Sequence, residues 1–357
     1  MSFEQQFSLA GSGYWLGKYG TKKDVHILPD KYLLFEDRFG RKIPYSIHWN
    51  TNHAIFICGI SRWGKTYTTN QICKAESKRG AKIIYDNYKG ESLPFKTYRI
   101  DAKDVQFDIK TLKRNDWQNM EIIDLTSFPS GSLSSLRRLI KEMDISGDKI
   151  ELQVIEDAVE QSRRMTKNTK DSIYNVLEDL DESNMLSTIG INILELVKKH
   201  KVIEIDCSQN PPMRMVVIPY ISRIIVEAKM TGIIPKDEKL IMVYDEIADP
   251  EHGVGPNKGK RSVASSVKAV FTKGGVYNLN GIANTQLPQD TSSQIIGNCT
   301  DKIIHRVIDK NAIDRIANVT GIEMGVLRNI LPKLDKGECL FIRGKTQEMR
   351  RVLTIKD

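Results

Sequence analysis

The alternation of hydrophobic and polar residues near the start of the chain predicts a small β element. Residues 24–36 and 43–49 alternate apolar and polar side chains, and the Asp-Arg-Phe-Gly segment at 37–40 between them is typical of a turn. Strands that bury one face show this alternation because successive side chains point to opposite sides. We therefore expect two short antiparallel strands within residues 1–50.

From residue 54 onward the pattern changes to continuous apolar runs. Residues 54–58, 81–86, 202–206 and 239–246 lack the alternation and are typical of strands buried on both faces of a parallel sheet. Helices are predicted at about 65–77 and 214–230, and further strands at 279–284, 302–307 and 338–343. Strands that alternate with helices in this way indicate an α/β fold.

Between residues 105 and 199 the chain is polar and has helical periodicity instead. Segments at 133–143, 150–165 and 171–185 carry apolar residues at intervals of three and four, which places them on one face of a helix. These segments interrupt the strand–helix alternation and predict a helical insertion. The expected organisation is a β-rich element at 1–50, an α/β core at 51–104 and 200–357, and the insertion at 105–199.

Length and composition are those of an ordinary globular protein. The chain has 357 residues, of which 40% are hydrophobic and 27% charged, which excludes a mostly disordered or low-complexity protein and suggests about two domains. No run of 18 apolar residues and no basic, then apolar, leader is present in the sequence, so we expect neither a membrane span nor export.

Cysteine usage and net charge indicate the redox compartment and the kind of partner. The five cysteines are scattered without a Cys-x-x-Cys pair, which favours single buried thiols in a reducing cytoplasm. The net charge of +8 favours a polyanionic partner such as nucleic acid.

Residues 59–66, Gly-Ile-Ser-Arg-Trp-Gly-Lys-Thr, match the phosphate-binding pattern GxxxxGK[ST] between a predicted strand and a predicted helix. Glycines let backbone N–H groups curl around phosphates, Lys65 reaches the β- and γ-phosphates, and the Thr66 hydroxyl takes a Mg²⁺ position. Trp63 either stacks on the nucleotide or plugs the loop. The candidate nucleotide-binding residues are Gly59, Ser61, Arg62, Trp63, Gly64, Lys65, Thr66 and Tyr67.

Two carboxylates, Asp245 and Glu246, end the apolar run at 239–246. Behind a phosphate-binding loop, the first carboxylate at such a strand end holds Mg²⁺ through water, and an adjacent glutamate polarises the attacking water. Asp245 and Thr66 are therefore the candidate metal ligands, and Glu246 is the candidate general base. A further apolar strand ends at Gln286, whose amide is either a sensor of the γ-phosphate or a strand-end cap.

The order of these motifs resembles that of the HerA/FtsK superfamily of DNA-pumping ATPases. The resemblance is carried by the phosphate-binding loop, by Asp-Asn-Tyr-Lys-Gly-Glu at 86–91, by the strand that ends in Asp245 and Glu246, by Thr-Gln-Leu-Pro at 285–288, and by the segment 298–321. It implies a RecA-like P-loop NTPase core, a homohexameric ring, ATP and Mg²⁺ as cofactors, and hydrolysis coupled to translocation along double-stranded DNA. The segment at 20–50 resembles a shortened form of the N-terminal barrel of HerA proteins.

The chain departs from the family pattern before the glutamine strand. Residues 271–276, Phe-Thr-Lys-Gly-Gly-Val, stand where HerA proteins carry a Gly-Arg-Lys run, which puts the trans-acting cation in doubt. A ring ATPase needs a positive group that reaches a neighbour's γ-phosphate and stabilises charge in the transition state. Arg306 is the first candidate for this catalytic role, with Arg315 and Lys273 as alternatives.

Contacts with DNA are predicted in a glycine-rich basic loop at 253–261, just after the catalytic strand. Lys258, Lys260 and Arg261 would neutralise phosphates there, unless the loop is only a solvated surface segment. A second basic cluster at 163–170 lies on the predicted insertion and is either a further contact or a solvated helix face.

The sequence as a whole predicts an ATP-hydrolysing ring motor that translocates double-stranded DNA, a helicase or a packaging or transfer ATPase without a membrane anchor. The resemblance implies a partner such as a nuclease or a viral portal or capsid protein. Two alternatives remain open: an ATPase of a protein secretion or pilus assembly system, and a DNA-binding scaffold that nucleotide switches without turnover.

Overall fold

The computed structural model describes residues 31–36, 42–46, 54–105, 107, 112, 116, 130–146, 152–182, 193–209, 211–248, 260–343 and 348–354. Its strands are β1 (Lys31–Glu36), β2 (Lys42–Ser46), β3 (Ala54–Cys58), β4 (Lys82–Asn87), β5 (Tyr98–Asp101), β6 (Val202–Asp206), β7 (Leu240–Tyr244), β8 (Leu279–Thr285), β9 (Asp301–Ile304), β10 (Glu338–Arg343) and β11 (Glu348–Thr354). Its helices are α1 (Lys65–Lys78), α2 (Ser130–Ser146), α3 (Leu152–Gln161), α4 (Lys167–Glu182), α5 (Ile193–Lys199), α6 (Pro211–Thr231), α7 (Lys260–Lys273), α8 (Ser293–Asn298), α9 (Lys310–Thr320) and α10 (Met324–Ile330).

All eleven described strands form one sheet in the order β2-β1-β11-β10-β9-β3-β8-β7-β4-β6-β5. The strands from β9 to β5 are parallel, and the remaining four extend one edge as an antiparallel ribbon. The carboxyl ends of β3, β8, β7 and β4 therefore meet along one edge, in that spatial order. Residues that follow these strands are brought together even though they are far apart in the sequence.

The core lies on both faces of the parallel strands. Phe56 and Cys58 of β3 face a large hydrophobic cluster, whereas Ile55 and Ile57 face a smaller one on the other side, because neighbouring side chains of a strand point to opposite faces. This two-sided burial is the reason that β3, β4, β6 and β7 read as continuous apolar runs.

Four helices, α2 to α5, occupy the stretch where the sequence predicts a helical insertion. Their apolar faces, which include Leu136 of α2, Ile155 of α3 and Leu177 of α4, are buried in the same large cluster that contains Val216 of α6. The predicted helical segments are confirmed, with bounds that differ by a few residues. No described helix contains an 18-residue window apolar enough to cross a membrane.

Several elements differ from the sequence-based expectation. β1 and β2 pair with each other as predicted, but β1 also pairs with β11, with Phe35 opposite Thr354, so these strands continue the main sheet. β9 ends at Ile304, and the next residue, His305, lies beneath the loop that precedes α1. Lys260 and Arg261 open α7, so the prediction that they lie in a loop is wrong. The strands β5 and β11 and the helices α7 to α10 were not predicted.

Gly281 of β8 generates a test of the packing. A Cβ built on this residue would lie 2.5 Å from Cε1 of the buried Phe271 ring of α7, a distance that requires the ring or the strand to shift. We expect Gly281→Ala to lower the free energy of unfolding by about 1 to 3 kcal/mol, as over-packed cores do. Urea unfolding followed by circular dichroism measures the change.

Gly297 of α8 provides the matched control, because none of the described residues places a heavy atom within 4 Å of its added Cβ. Gly297→Ala is expected to leave stability unchanged or to raise it by up to about 1 kcal/mol, since alanine favours helix. Equal effects of the two substitutions would contradict the packing argument.

Candidate active site

The loop between β3 and α1 has the backbone shape that the glycine-rich motif predicts. Gly59, Arg62 and Gly64 have φ values of 146°, 66° and 111°, which are rare for residues with a side chain. A Cβ on Gly59 would lie 2.7 Å from the Cβ of His305, so only glycine allows this close approach. The loop therefore curls tightly above residue 305 and leads directly into α1.

Lys65 lies inside the curve of this loop. Its buried ammonium donates to the carbonyl oxygens of Gly59 at 2.7 Å and Ile60 at 3.0 Å. Burial, together with the nearby Lys89 ammonium, lowers the pKa of Lys65 to about 8. A buried cation whose hydrogen bonds go to neutral carbonyls is electrostatically suited to an anion.

The amino end of α1 adds to this positive character. Within the described part of the chain no side chain caps its first turn, which begins after Gly64. The backbone N–H groups of an uncapped helix start carry a partial positive charge and bind phosphate well. The loop, Lys65 and the amino end of α1 together have the shape and positive charge that a polyphosphate requires. The sequence motif predicts a ligand of this kind.

His305 packs against Gly59 and supports the phosphate-binding loop. Its Nδ1 lies 3.1 Å from the carbonyl oxygen of Glu338, which requires Nδ1 to donate, so Nε2 accepts from the hydroxyl of Thr68 at 3.1 Å. The Thr68 oxygen is in turn 2.9 Å from the hydroxyl of Thr354 in β11. Burial lowers the pKa of His305 to about 4, with a further contribution from Lys65, and the ring is therefore neutral at pH 7.

Asp245 and Glu246 lie in the turn that directly follows β7. Oδ1 of Asp245 accepts from Nδ2 of Asn284 at 3.0 Å, and burial raises the pKa of Asp245 to about 6 even though Lys89 opposes the shift. Thr66 is half-buried in the first turn of α1, and its hydroxyl and the Asp245 carboxylate are oxygen groups of the kind that Mg²⁺ binds. Within the described residues there is no cluster of three or more histidine, cysteine or carboxylate groups that could hold a metal ion.

The Glu246 carboxylate is held by the end of β8. The Thr285 hydroxyl donates to Oε1 at 2.5 Å, and the backbone N–H of Gln286 donates to the same oxygen at 2.9 Å. Glu246 adopts φ 56°, a left-handed conformation that is uncommon for glutamate and turns its side chain toward β8. The backbone N–H of Gln286 makes this contact, and the predicted role of its side-chain amide as a γ-phosphate sensor or a strand-end cap stays a prediction.

The turn after β7 is held in place by Arg214 of α6, a fully buried residue. Its guanidinium makes a two-pronged contact with the Asp86 carboxylate of β4, at 3.0 Å from Nε and 2.7 Å from Nη2. The same Nη2 donates to the carbonyl oxygens of Asp245 and of Glu246, the latter at 3.0 Å. Burial raises the pKa of Asp86, and Arg214 offsets part of that rise.

Arg306 lies beside the phosphate-binding loop of its own chain. Its guanidinium carbon is 4.5 Å from the centroid of the Trp63 ring, and its carbonyl accepts from the Ile60 N–H at 2.8 Å. One face of Trp63 is thus covered by Arg306. The trans-acting role of Arg306 concerns a neighbouring subunit and stays a prediction.

The other predicted residues lie at varying distances from this centre. Arg315 of α9 donates to the Thr291 carbonyl at 2.9 Å, and Lys273 is exposed at the end of α7. Ser61, Arg62 and Tyr67 are exposed on the loop and on α1. Lys258 lies outside the described residues, and so do the side chains of Lys260 and Arg261, so the DNA-contact prediction is not addressed.

Sequence reasoning missed the residues that hold the site in place. Arg214, His305 and Thr285 were given no role of their own, and Asp86 and Lys89 entered only as part of a resemblance. The sequence does not reveal that an arginine in a helix is buried, because charged residues of helices usually lie on the solvent-exposed face. For Asp86 and Lys89 the signal was the Asp-Asn-Tyr-Lys-Gly-Glu segment at 86–91, which follows a buried strand. Side chains at the carboxyl ends of parallel strands come together at one edge of the sheet.

Comparisons with known proteins establish the fold. VirB4 of Thermoanaerobacter pseudethanolicus has a TM-score of 0.66 at 13% identity, over 95% of this chain and 98% of that chain. The plasmid coupling protein TrwB in complex with the non-hydrolysable ATP analogue ADPNP has a TM-score of 0.57 at 12% identity, over 86% of each chain. TrwB in complex with ADP and Mg²⁺ has a TM-score of 0.56 at 10% identity, over 88% of this chain and 87% of that chain.

The α/β P-loop NTPase fold expected from the sequence is thereby confirmed. No protein-family model matches the chain, and a search of curated proteins gives no match. Membership of the HerA branch in particular stays a prediction.

The buried Arg214 contact yields a stability prediction. We expect Arg214→Met to lower the free energy of unfolding by about 3 to 5 kcal/mol, because it leaves the Asp86 carboxylate buried without its cation. Removing both charges, in Arg214→Met with Asp86→Leu, is expected to recover part of that loss. Urea titration followed by tryptophan fluorescence measures both changes.

Arg138→Met serves as the control, since it removes an exposed pair with Glu142 that contributes at most about 1 kcal/mol. A loss at Arg214 no larger than the loss at Arg138 would show that the buried pair does not hold the fold together.

The neutral His305 predicts how stability depends on acid. Its pKa is about 4 in the folded chain against an ordinary 6.5, so the unfolded chain binds more protons between these values. Stability is therefore lost as pH falls from about 6.5 to 4, by up to about 3 kcal/mol. His305→Gln removes the titrating group and is expected to flatten this part of the curve, as measured by urea unfolding at several pH values. Parallel curves for the two proteins would rule out this origin.

Proposed function

We propose that this chain is an ATP-hydrolysing motor that moves double-stranded DNA and works as a homohexameric ring. The observation that carries the proposal is the meeting of Lys65, Asp245 and Glu246 at one edge of the sheet, each built into its position by buried contacts. ATP and Mg²⁺ are supported by the complexes that TrwB, a protein of the same fold, forms with an ATP analogue and with ADP and Mg²⁺.

The loop and α1 bind the nucleotide in this proposal. Backbone N–H groups of residues 59–66 surround the phosphates, and Lys65 turns from the loop carbonyls to the β- and γ-phosphate oxygens. Because protonated Lys65 is the binding form, the affinity for nucleotide is greatest below its pKa of about 8.

Thr66 and Asp245 would hold Mg²⁺, which when bound neutralises charge on the phosphate oxygens. Asp245 has a pKa of about 6, so it is ionised and able to bind a cation at neutral pH.

Glu246 acts as the general base. Its carboxylate takes a proton from the attacking water, and the donors on Thr285 and Gln286 keep it aligned. Those two bonds also join the base to the end of β8, so a change at Gln286 reaches the base directly. The sensing role of Gln286 is thus carried by its backbone together with its side chain.

Two features support DNA as the substrate that the motor moves. The net charge of +8 favours a polyanion, and TrwB is named a plasmid coupling protein. Within this proposal Lys258, Lys260 and Arg261 contact the DNA backbone. Arg306 reaches a neighbouring subunit's nucleotide, with Arg315 and Lys273 as alternatives.

Steady-state hydrolysis with and without linear double-stranded DNA, at two salt concentrations, tests the proposal. We expect stimulation by DNA that falls as salt rises, because contacts with phosphates release counterions. Glu246→Gln is expected to lose at least about 100-fold in turnover while it keeps its affinity for ATP, since general-base catalysis contributes about 100- to 10,000-fold.

Glu178→Gln, at an exposed position of α4, is the matched control and should hydrolyse ATP like the unchanged protein. A rate of hydrolysis that does not change when DNA is added would favour a protein-transport motor instead. Absence of hydrolysis under every condition would favour a scaffold that nucleotide switches.

A further inference from the structure

A second lysine, Lys89, lies in the candidate site without a role in the function proposed above. It belongs to the loop that follows β4, and its Nζ is 3.9 Å from Oδ2 of Asp245. About a quarter of its side chain, 26%, is exposed, so the ammonium stands between solvent and the buried carboxylate. The site therefore contains two cations, Lys65 and Lys89, on either side of the same strand ends.

The loop that carries Lys89 is built to hold this residue in place. Gly90 has φ 67°, and a Cβ there would lie 2.4 Å from the Oγ of Ser208, so the backbone at this point requires glycine. Nδ2 of Asn87 donates to the Glu91 carbonyl at 2.7 Å. The Tyr88 ring packs 4.5 Å from the guanidinium carbon of Arg214. Lys89 is thus flanked on both sides by residues with defined contacts.

The order of the strands determines which part of a bound nucleotide Lys89 would meet. The phosphate-binding loop follows β3, and the spatial order continues through β8 and β7 to β4, which carries Lys89. A polyphosphate that starts on the loop and reaches toward Asp245 has its terminal group nearest to the far side, where Lys89 lies. The shorter chain of a diphosphate does not extend as far.

The charges of the two lysines also favour a polyphosphate between them. The Lys89 ammonium interacts electrostatically with that of Lys65. Two like charges held near each other in a partly buried site repel, and a multiply charged anion between them removes the repulsion. Asp245, which Lys89 contacts here, would be satisfied by a bound cation instead, and the Lys89 ammonium would then be available to phosphate.

We propose that Lys89 is a second phosphate-binding cation of this site, which contacts the terminal phosphate of ATP from within the same chain. This proposal rests on the nucleotide-binding part of the function proposed above. It supplies in cis a positive group on the terminal phosphate.

Equilibrium binding distinguishes this role without any need for turnover. We would titrate ATPγS and ADP, each with Mg²⁺, into the full chain and into Lys89→Met, Lys89→Arg and Lys96→Met by calorimetry. Lys89→Met is expected to weaken ATPγS binding by about tenfold or more, as for loss of a hydrogen bond to a charged group, and to change ADP binding by less than about threefold. Lys89→Arg should retain most of the preference for the triphosphate.

Lys96→Met is the matched control, because Lys96 is an exposed lysine further along the same loop. It should leave both affinities unchanged. Circular dichroism and urea unfolding of every variant establish that each is folded.

Four results would overturn the proposal. Equal weakening of ATPγS and ADP by Lys89→Met would make Lys89 a support of the loop. Unchanged nucleotide affinities with tighter Mg²⁺ binding would make it only a counter-ion of Asp245. If the unchanged protein binds neither nucleotide, the proposed function fails as well, whereas tight ATPγS binding that Lys89→Met does not alter refutes the role of Lys89 alone.

Discussion

The contacts of the Arg214 guanidinium determine where the two carboxylates of the site lie. This one group joins three elements: it extends from α6, pairs with Asp86 in β4, and donates to the carbonyl oxygens of Asp245 and Glu246 after β7. Each of those acceptors is buried, so losing the arginine would leave several polar groups without partners at once. The position of the candidate metal ligand and base therefore depends on a fully buried residue of another element.

The site combines a rigid side, formed by the loop after β3, with a second side at the end of β8. On the rigid side, Gly59 packs against His305, and Lys65 is held within the loop by carbonyl oxygens. On the other side, the Glu246 carboxylate accepts from the hydroxyl of Thr285 and, through both of its oxygens, from the N–H of Gln286. Because β8 lies between β3 and β7, it adjoins both sides of the site.

The sequence predicts those parts of the molecule in which local pattern and tertiary role agree. The strands at 54–58 and 202–206 are correct to the residue, because burial on both faces produces a continuous apolar run. The phosphate-binding loop is also predicted, because its backbone shape requires glycine at defined positions. Arg214 and His305 were not predictable, because their partners lie 128 and 237 residues away and a buried polar residue has no periodic pattern.

The attachment of β1 to β11 connects the outer edge of the sheet to the helix behind the phosphate-binding loop. Thr354 of β11 pairs with Phe35 of β1 through the sheet, and its hydroxyl contacts that of Thr68 in α1. A displacement of these edge strands therefore reaches α1 through the Thr354–Thr68 contact and through the packing of β1 against α1. The helix that follows the phosphate-binding loop is thus tied to the antiparallel edge of the sheet as well as to its parallel strands.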